Sequence, residues 1–345
     1  MFYQTLSVLP IKVGLRIGRP PPTSDVTLKD ASVIWIDGLA EDSKVFCGEV
    51  RRFADITGVK PTRFAAYWLY RAGGSPAKGA KAKPGEKIVM HIHGGAFYVG
   101  SAHPDEETAN IPRGLVSHSM SVERVLSVDY RLSATHPDPP ANPFPAALLD
   151  SIAAYQYLVV EVGFDPQNIA VAGDSAGANI AFALVRHLVE NSIPGLPPPG
   201  RLIGFSVWLD LSISRSTLDS SVVRNAKSDI FGTDPETRFD AYGTPAYLGP
   251  LDPEQAKTNR YLSPASPYIK PTEGLFRGFP RTFISAGGAE ILLDDSMVTA
   301  ERLKADGVDV TVDIVPDAVH DFLSFPWHEP ERTDALKRIC KWLDA

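Results

Sequence analysis

A serine between two glycines, a carboxylate and a histidine occur in this chain in an order that could support acyl transfer. Residues 173–177 read Gly-Asp-Ser-Ala-Gly. In a G-x-S-x-G turn the glycines leave room for a sharp strand-to-helix reversal that lifts the Ser175 hydroxyl out of the fold. The helix N-terminus behind it points free N–H groups at any oxyanion that forms. A serine is a weak nucleophile at neutral pH, so the chemistry also needs a base, an acid to hold the tautomer of that base, and donors for the oxyanion.

Of the eight histidines, His320 is the expected base. It follows an expected strand after PDAV and comes last in the chain order Ser, acid, His. Its rival His328, in FPWHEPE, stands directly before the final helix, where capping or packing is the expected role. Glu290 is the first carboxylate past the expected strand 281–285 and is the expected acid. Asp294 and Asp295 suit a helix N-terminus, and Asp174 is expected to make structural hydrogen bonds. His93-Gly94-Gly95-Ala96 ends another strand, so the N–H groups of Gly94, Gly95 and Ala96, with that of Ala176, are the expected oxyanion donors. His93 is expected to tie the loop down through its ring, and His91 to be a satisfied core histidine. With a histidine base, activity is expected to fall below a pH of roughly 6.5 as the imidazole protonates.

The elements that must carry these residues alternate. Apolar, β-branched runs predict strands at residues 87–92, 123–128, 169–172, 202–209, 281–285 and 309–315, and helical spacing predicts helices at 144–162, 176–190, 294–305 and 331–343. Strand then helix in repetition predicts a mostly parallel central sheet covered by helices on both faces. Earlier in the chain, EVRRFADI and RFAAYWLYR read as an antiparallel strand pair at a sheet edge. Residues 210–268 lose the pattern but hold Phe231, Phe239, Tyr242, Tyr247 and Tyr261, as expected of a lid inserted over the sheet.

The 345 residues suffice for one large α/β domain with an extra layer, and 44% hydrophobic content excludes a disordered chain. Net charge is −7 with no long run of one sign, which argues against nucleic acid or an anionic membrane as partner. Cys47 and Cys340 are far apart, giving neither a disulfide framework nor a metal site and fitting a cytoplasmic location. No run reaches the ~18 apolar residues of a membrane span. The N-terminal MFYQTLSVLPIKVGLRIG, interrupted by Pro10, Lys12 and Arg16, reads as an amphipathic cap element without stable membrane insertion.

HGGAFYVGS at 93–101, VDYRL at 128–132, PFPAAL at 143–148, GDSAG at 173–177, YLSPASP at 261–267, GGAEILLDD at 287–295 and VHDF around His320 together resemble the hormone-sensitive-lipase-like carboxylesterases of the α/β-hydrolase superfamily. The resemblance implies an α/β-hydrolase fold with a helical cap built from residues 1–44 and 210–268, around a core at 45–209 and 269–345. It implies a Ser175, Glu290, His320 triad without metal or cofactor. The implied partner is a small, neutral ester with a short or medium acyl chain, and the sequence leaves room for a homodimer. Three departures stand out: Ala96 replaces the last glycine of the family's HGGG, SATHPDPPAN lengthens the loop before PFPAAL, and Glu290 replaces the usual aspartate. An amidase, arylformamidase or deacetylase would use the same machinery, and plant hormone receptors resembling this chain use the fold as a binding cleft without the catalytic histidine.

Overall fold

The computed structural model describes residues 27–28, 30–74, 80–231 and 234–345, so the N-terminal element expected to form part of the cap lies outside the described residues. Among the described residues the strands are β1 (Thr27–Leu28), β2 (Ala31–Ile36), β3 (Phe64–Tyr70), β4 (Lys87–Ile92), β5 (Val122–Asp129), β6 (Ile169–Asp174), β7 (Arg201–Phe205), β8 (Arg281–Gly287) and β9 (Val310–Val315). They form one sheet in the order β1-β2-β3-β5-β4-β6-β7-β8-β9. From β5 onward every neighbouring pair is parallel, while β1, β2 and β3 join antiparallel.

The helices, in chain order, are α1 (Gly48–Thr57), α2 (Asn110–His118), α3 (Ala146–Gln156), α4 (Ala176–Asn191), α5 (Ser221–Arg224), α6 (Phe239–Leu248), α7 (Gln255–Thr258), α8 (Leu293–Ala305) and α9 (Glu331–Asp344). The central strand β6 is buried at every position, and α4 behind it is buried from Ala176 to Leu188, so both are covered on every side, with Asn179, Arg186 and His187 of α4 buried among its apolar residues. Two apolar clusters lie on opposite faces of the sheet. One holds Met90, Val171, Leu184 and Trp208; the other holds Val89, Ala170, Phe283 and Leu336. This two-faced burial is what a parallel sheet requires.

Three expectations need correction. EVRRFADI is not a strand: it lies in α1, whose buried residues Val50, Phe53 and Ala54 follow the i, i+3, i+4 spacing of one helical face. RFAAYWLYR does form a strand, but β3 is no edge, since it pairs with both β2 and β5 and is buried along its length. The core therefore begins earlier than residue 45, because Ala31–Ile36 is a sheet strand rather than part of a cap. Helix α2 escaped the periodicity because Pro112 and Gly114 punctuate it; Gly114 packs against Leu336 of α9, which leaves no room for a side chain there.

Candidate active site

Strand register gathers the expected residues at one edge of the sheet. Ile92 of β4 pairs with Gly173 of β6, Asp174 of β6 with Phe205 of β7, and Gly287 of β8 with Val315 of β9. The loops that follow β4, β6, β7, β8 and β9 thus leave the same carboxyl edge, where open α/β sheets place their sites.

Ser175 takes φ 51° and ψ −117°, the strained conformation of a nucleophile elbow, at the N-terminus of α4. The flanking glycines are obligatory here. A Cβ on Gly173 would strike the carbonyl of Gly177, and one on Gly177 would strike the carbonyls of Ile92 and His93. Ser175 is buried, and its Oγ makes no hydrogen bond among the described residues.

The HGGA loop lies directly against the elbow: a Cβ on Gly94 would sit 3.2 Å from that of Ser175. Asp174 organises it: one carboxylate oxygen accepts the Gly94 N–H at 2.7 Å, and the other lies 2.9 Å from Nε2 of His91. Asp174 therefore has the structural role expected of it. The same bond corrects one donor, because the Gly94 N–H is already committed. The N–H groups of Gly95, Ala96 and Ala176 meet no protein acceptor among the described residues. Ala96 does adopt the left-handed backbone, at φ 49°, despite its methyl group. Room for that methyl comes from α6, where Gly243 faces it: a Cβ at Gly243 would sit 3.2 Å from that of Ala96. His93 stacks on Tyr130 at 4.3 Å, and its Nδ1–H donates to the Gly94 carbonyl at 2.7 Å. Burial pushes its pKa down to about 4, so the ring stays neutral and holds the loop as expected.

Glu290 and His320 are both fully buried, with Nδ1 of His320 3.9 Å from Oε2 of Glu290. Oε2 accepts hydrogen bonds from Ser206 Oγ at 2.7 Å and the Gly287 N–H at 3.1 Å. Among the described residues, Oε1 of Glu290 and Nδ1 of His320 meet no hydrogen-bond partner. At 3.9 Å the two side chains lie beyond hydrogen-bond distance, as apo sites often hold groups that close up only around substrate. Burial raises the Glu290 pKa to about 8, against the lowering pull of His320.

The other ring nitrogen of His320 differs from the expected arrangement. Nε2 lies 3.2 Å from Oδ2 of Asp321 and makes no hydrogen bond to Ser175. Burial alone would lower the His320 pKa, but the carboxylates of Asp321, Glu290 and Asp229 outweigh it and hold it up at about 9. An acid limb set by this ring would lie above the pH of roughly 6.5 expected for an unperturbed histidine.

The rivals are accounted for. His328 lies 3.5 Å from Glu331 and packs on Phe322 and Trp327. Asp294 accepts the Ser221 N–H at 2.9 Å, and Asp295 accepts those of Leu209 and Asp210 at 2.8 Å. Three site residues were not read from the sequence. Ser206, at the end of β7, donates to Glu290 and accepts the Asp321 N–H at 3.0 Å. Asp321 could have been found from its adjacency to His320. Asp229, within the insertion, carries no local signal.

The insertion closes over this edge with aromatic rings. Phe97 stacks on Tyr247 at 3.7 Å, Trp208 meets Phe239 at 4.8 Å, and Phe231 lies 4.8 Å from the His320 ring. The long loop before PFPAAL joins the same roof, since the Thr135 N–H donates to the Tyr242 hydroxyl at 3.1 Å and Ser133 donates its N–H to the Phe97 carbonyl at 2.8 Å.

A family model described as the alpha/beta hydrolase fold matches residues 89–324. The chain is 30% identical over 280 residues to the esterase LipU of Mycobacterium tuberculosis, covering 81% of this chain and 83% of that protein. It is 31% identical over 256 residues to the carboxylesterase NlhH of the same species, covering 73% and 71%. Among solved structures, EstE7, a hormone-sensitive-lipase homologue from a metagenome library, superposes with a TM-score of 0.62 at 30% identity, covering 81% of this chain and 82% of that one.

Proposed function

Because this chain belongs to the alpha/beta hydrolase fold family, in its hormone-sensitive-lipase-like branch, and is a carboxylic ester hydrolase, we propose that it works through an acyl-enzyme on Ser175, with His320 as base and Glu290 as the acid that orients it. Ser175 Oγ attacks the ester carbonyl while His320 Nε2 takes its proton. The N–H groups of Gly95, Ala96 and Ala176 hold the oxyanion, and collapse of the tetrahedral intermediate expels the alcohol, which recovers the proton from His320. Water then repeats the sequence on the acyl-enzyme. The reading rests chiefly on one observation: the strained elbow at Ser175 adjoins an HGGA loop whose unpaired N–H groups sit at the same sheet edge as a buried His320 and Glu290.

The substrate of this reading is a small, neutral ester with a short or medium acyl chain, supported by the aromatic roof of Phe97, Trp208, Phe231, Phe239 and Tyr247. A series of nitrophenyl esters of increasing acyl length tests this part. kcat/KM is expected to peak at short to medium chains; a monotonic rise into long chains overturns it. Ser175→Ala tests the nucleophile and is expected to lower kcat by about 10⁴ or more, because triad members act as a unit. A loss smaller than about tenfold overturns the assignment.

A further inference from the structure

Residues 225–231 of the insertion reach down to the triad loops and bind them by their main chains. Asn225 Nδ2 donates to the carbonyls of Gly288 at 3.1 Å and Glu290 at 2.8 Å, and Ser228 Oγ donates to that of Ala289 at 3.0 Å. Asp229 joins the two loops. Its Oδ2 accepts the N–H of Ile291, the residue after the acid, at 2.7 Å; its Oδ1 accepts the N–H of His320, the base, at 3.0 Å. Oδ1 also takes the Ile230 N–H at 2.8 Å, so the carboxylate is fixed by its own turn. Phe231, two residues on, lies against the His320 ring.

The acid and base belong to loops separated by α8 and β9; the strands fix where those loops begin, and one backbone bond, from the Ala289 N–H to the Ala318 carbonyl at 3.0 Å, joins them beyond that. Ser206 ties the loops together from the sheet side, through Glu290 Oε2 and the Asp321 N–H. Asp229 does so from the cap side, with two charge-assisted bonds to backbone donors, the stronger kind of hydrogen bond.

We infer that Asp229 is a positioning residue of the triad: its single carboxylate holds the acid loop and the base loop in register, which makes the cap insertion part of the catalytic apparatus as well as a roof. This rests on the triad reading above. Asn at this position keeps one acceptor but turns an NH2 toward a backbone N–H, so one loop loses its anchor. It also removes one of the three carboxylates, Asp229, Glu290 and Asp321, that favour the charged form of His320.

The test measures kcat, KM and the pH profile of Asp229→Asn, with active sites titrated by a fluorophosphonate. Expected are a loss of kcat per titrated serine of about tenfold to a hundredfold, as a misplacement of ~1 Å can cause, little change in KM, and an acid limb moved to lower pH. A merely structural role would lower the titrated fraction or Tm and leave the limb in place. kcat per site and limb both unchanged overturn the proposal. Should Asp229→Asn not fold, Asp229→Glu carries the test: the longer side chain is expected to lower kcat per site at least about threefold with the limb at its wild-type position, and full kcat overturns the proposal. Wild-type labelling that persists in Ser175→Ala would instead overturn the triad, and the Asp229 role with it.

Discussion

Replacing Asp321 with Asn isolates the electrostatics of the base. Oδ2 of Asp321 lies 3.2 Å from His320 Nε2, and both side chains are buried or nearly so. Two unit charges at that separation attract by about 5 kcal/mol at an effective dielectric constant of ~20, a ceiling that burial of the imidazolium works against. The net outcome is a His320 pKa raised from 6.5 to about 9, with Asp321 the leading cause of the rise. Removing that charge must therefore lower the pKa, by at least about one unit if Asp321 carries its share; one unit corresponds to ~1.4 kcal/mol. In the proposed mechanism His320 is active only when neutral, so the acid limb of kcat/KM moves down by the same interval. Below the wild-type limb the variant becomes about tenfold faster per unit of displacement, provided its plateau is unchanged. The assay is kcat/KM for one nitrophenyl ester between pH 5 and 10, with kcat recorded separately to expose any change in the plateau. A limb that stays at its wild-type position, or moves upward, refutes the reasoning that Asp321 holds the imidazolium.

Other consequences of the same geometry are open to measurement. Glu290→Gln is expected to cost less in kcat than His320→Ala, since the acid only orients the base; the reverse order points to a different acid or base. Gly243→Ala would set a Cβ 2.7 Å from the Ala96 carbonyl oxygen, and the displaced loop is expected to lower kcat by up to the ~10² to 10³ that losing one oxyanion donor costs, with little change in KM. His93 is held neutral with its pKa depressed to about 4, so the unfolded chain binds more protons below its own value near 6.5. Its contribution is present above pH 6.5 and is lost as the pH falls toward 4, up to about 3 kcal/mol; denaturant midpoints across that window are expected to fall more steeply in the wild type than in His93→Gln.

Much of the fold was legible because its strands are buried on both faces and its helices long. β4 was bounded to the residue, and β8 and β9 to within two, by apolar runs ending in turn signals. The antiparallel flank was less legible. VRRFADI mixes charge and apolar residues in a way that suits alternation over a short window, and only its packing selects the helix. Where chemistry demands a residue type at a fixed place in chain order, the sequence pointed to Ser175, Glu290 and His320, and the structure sets all three at one edge of the sheet. The site was not readable where a residue acts through distant main chain: Asp229 lies 91 residues from His320, and nothing near it in sequence shows which amides it will meet. The commitment of the Gly94 N–H to Asp174 belongs to the same class, a bond between residues 80 apart.

The acyl-enzyme itself is the most direct object of measurement. Acid quenching during turnover of a nitrophenyl ester, followed by peptide mass analysis, is predicted to find the acyl group on the peptide that contains Ser175, formed at the rate of nitrophenol release and absent in Ser175→Ala. An acyl group on another residue, or turnover in Ser175→Ala at a rate near that of the wild type, would contradict the account.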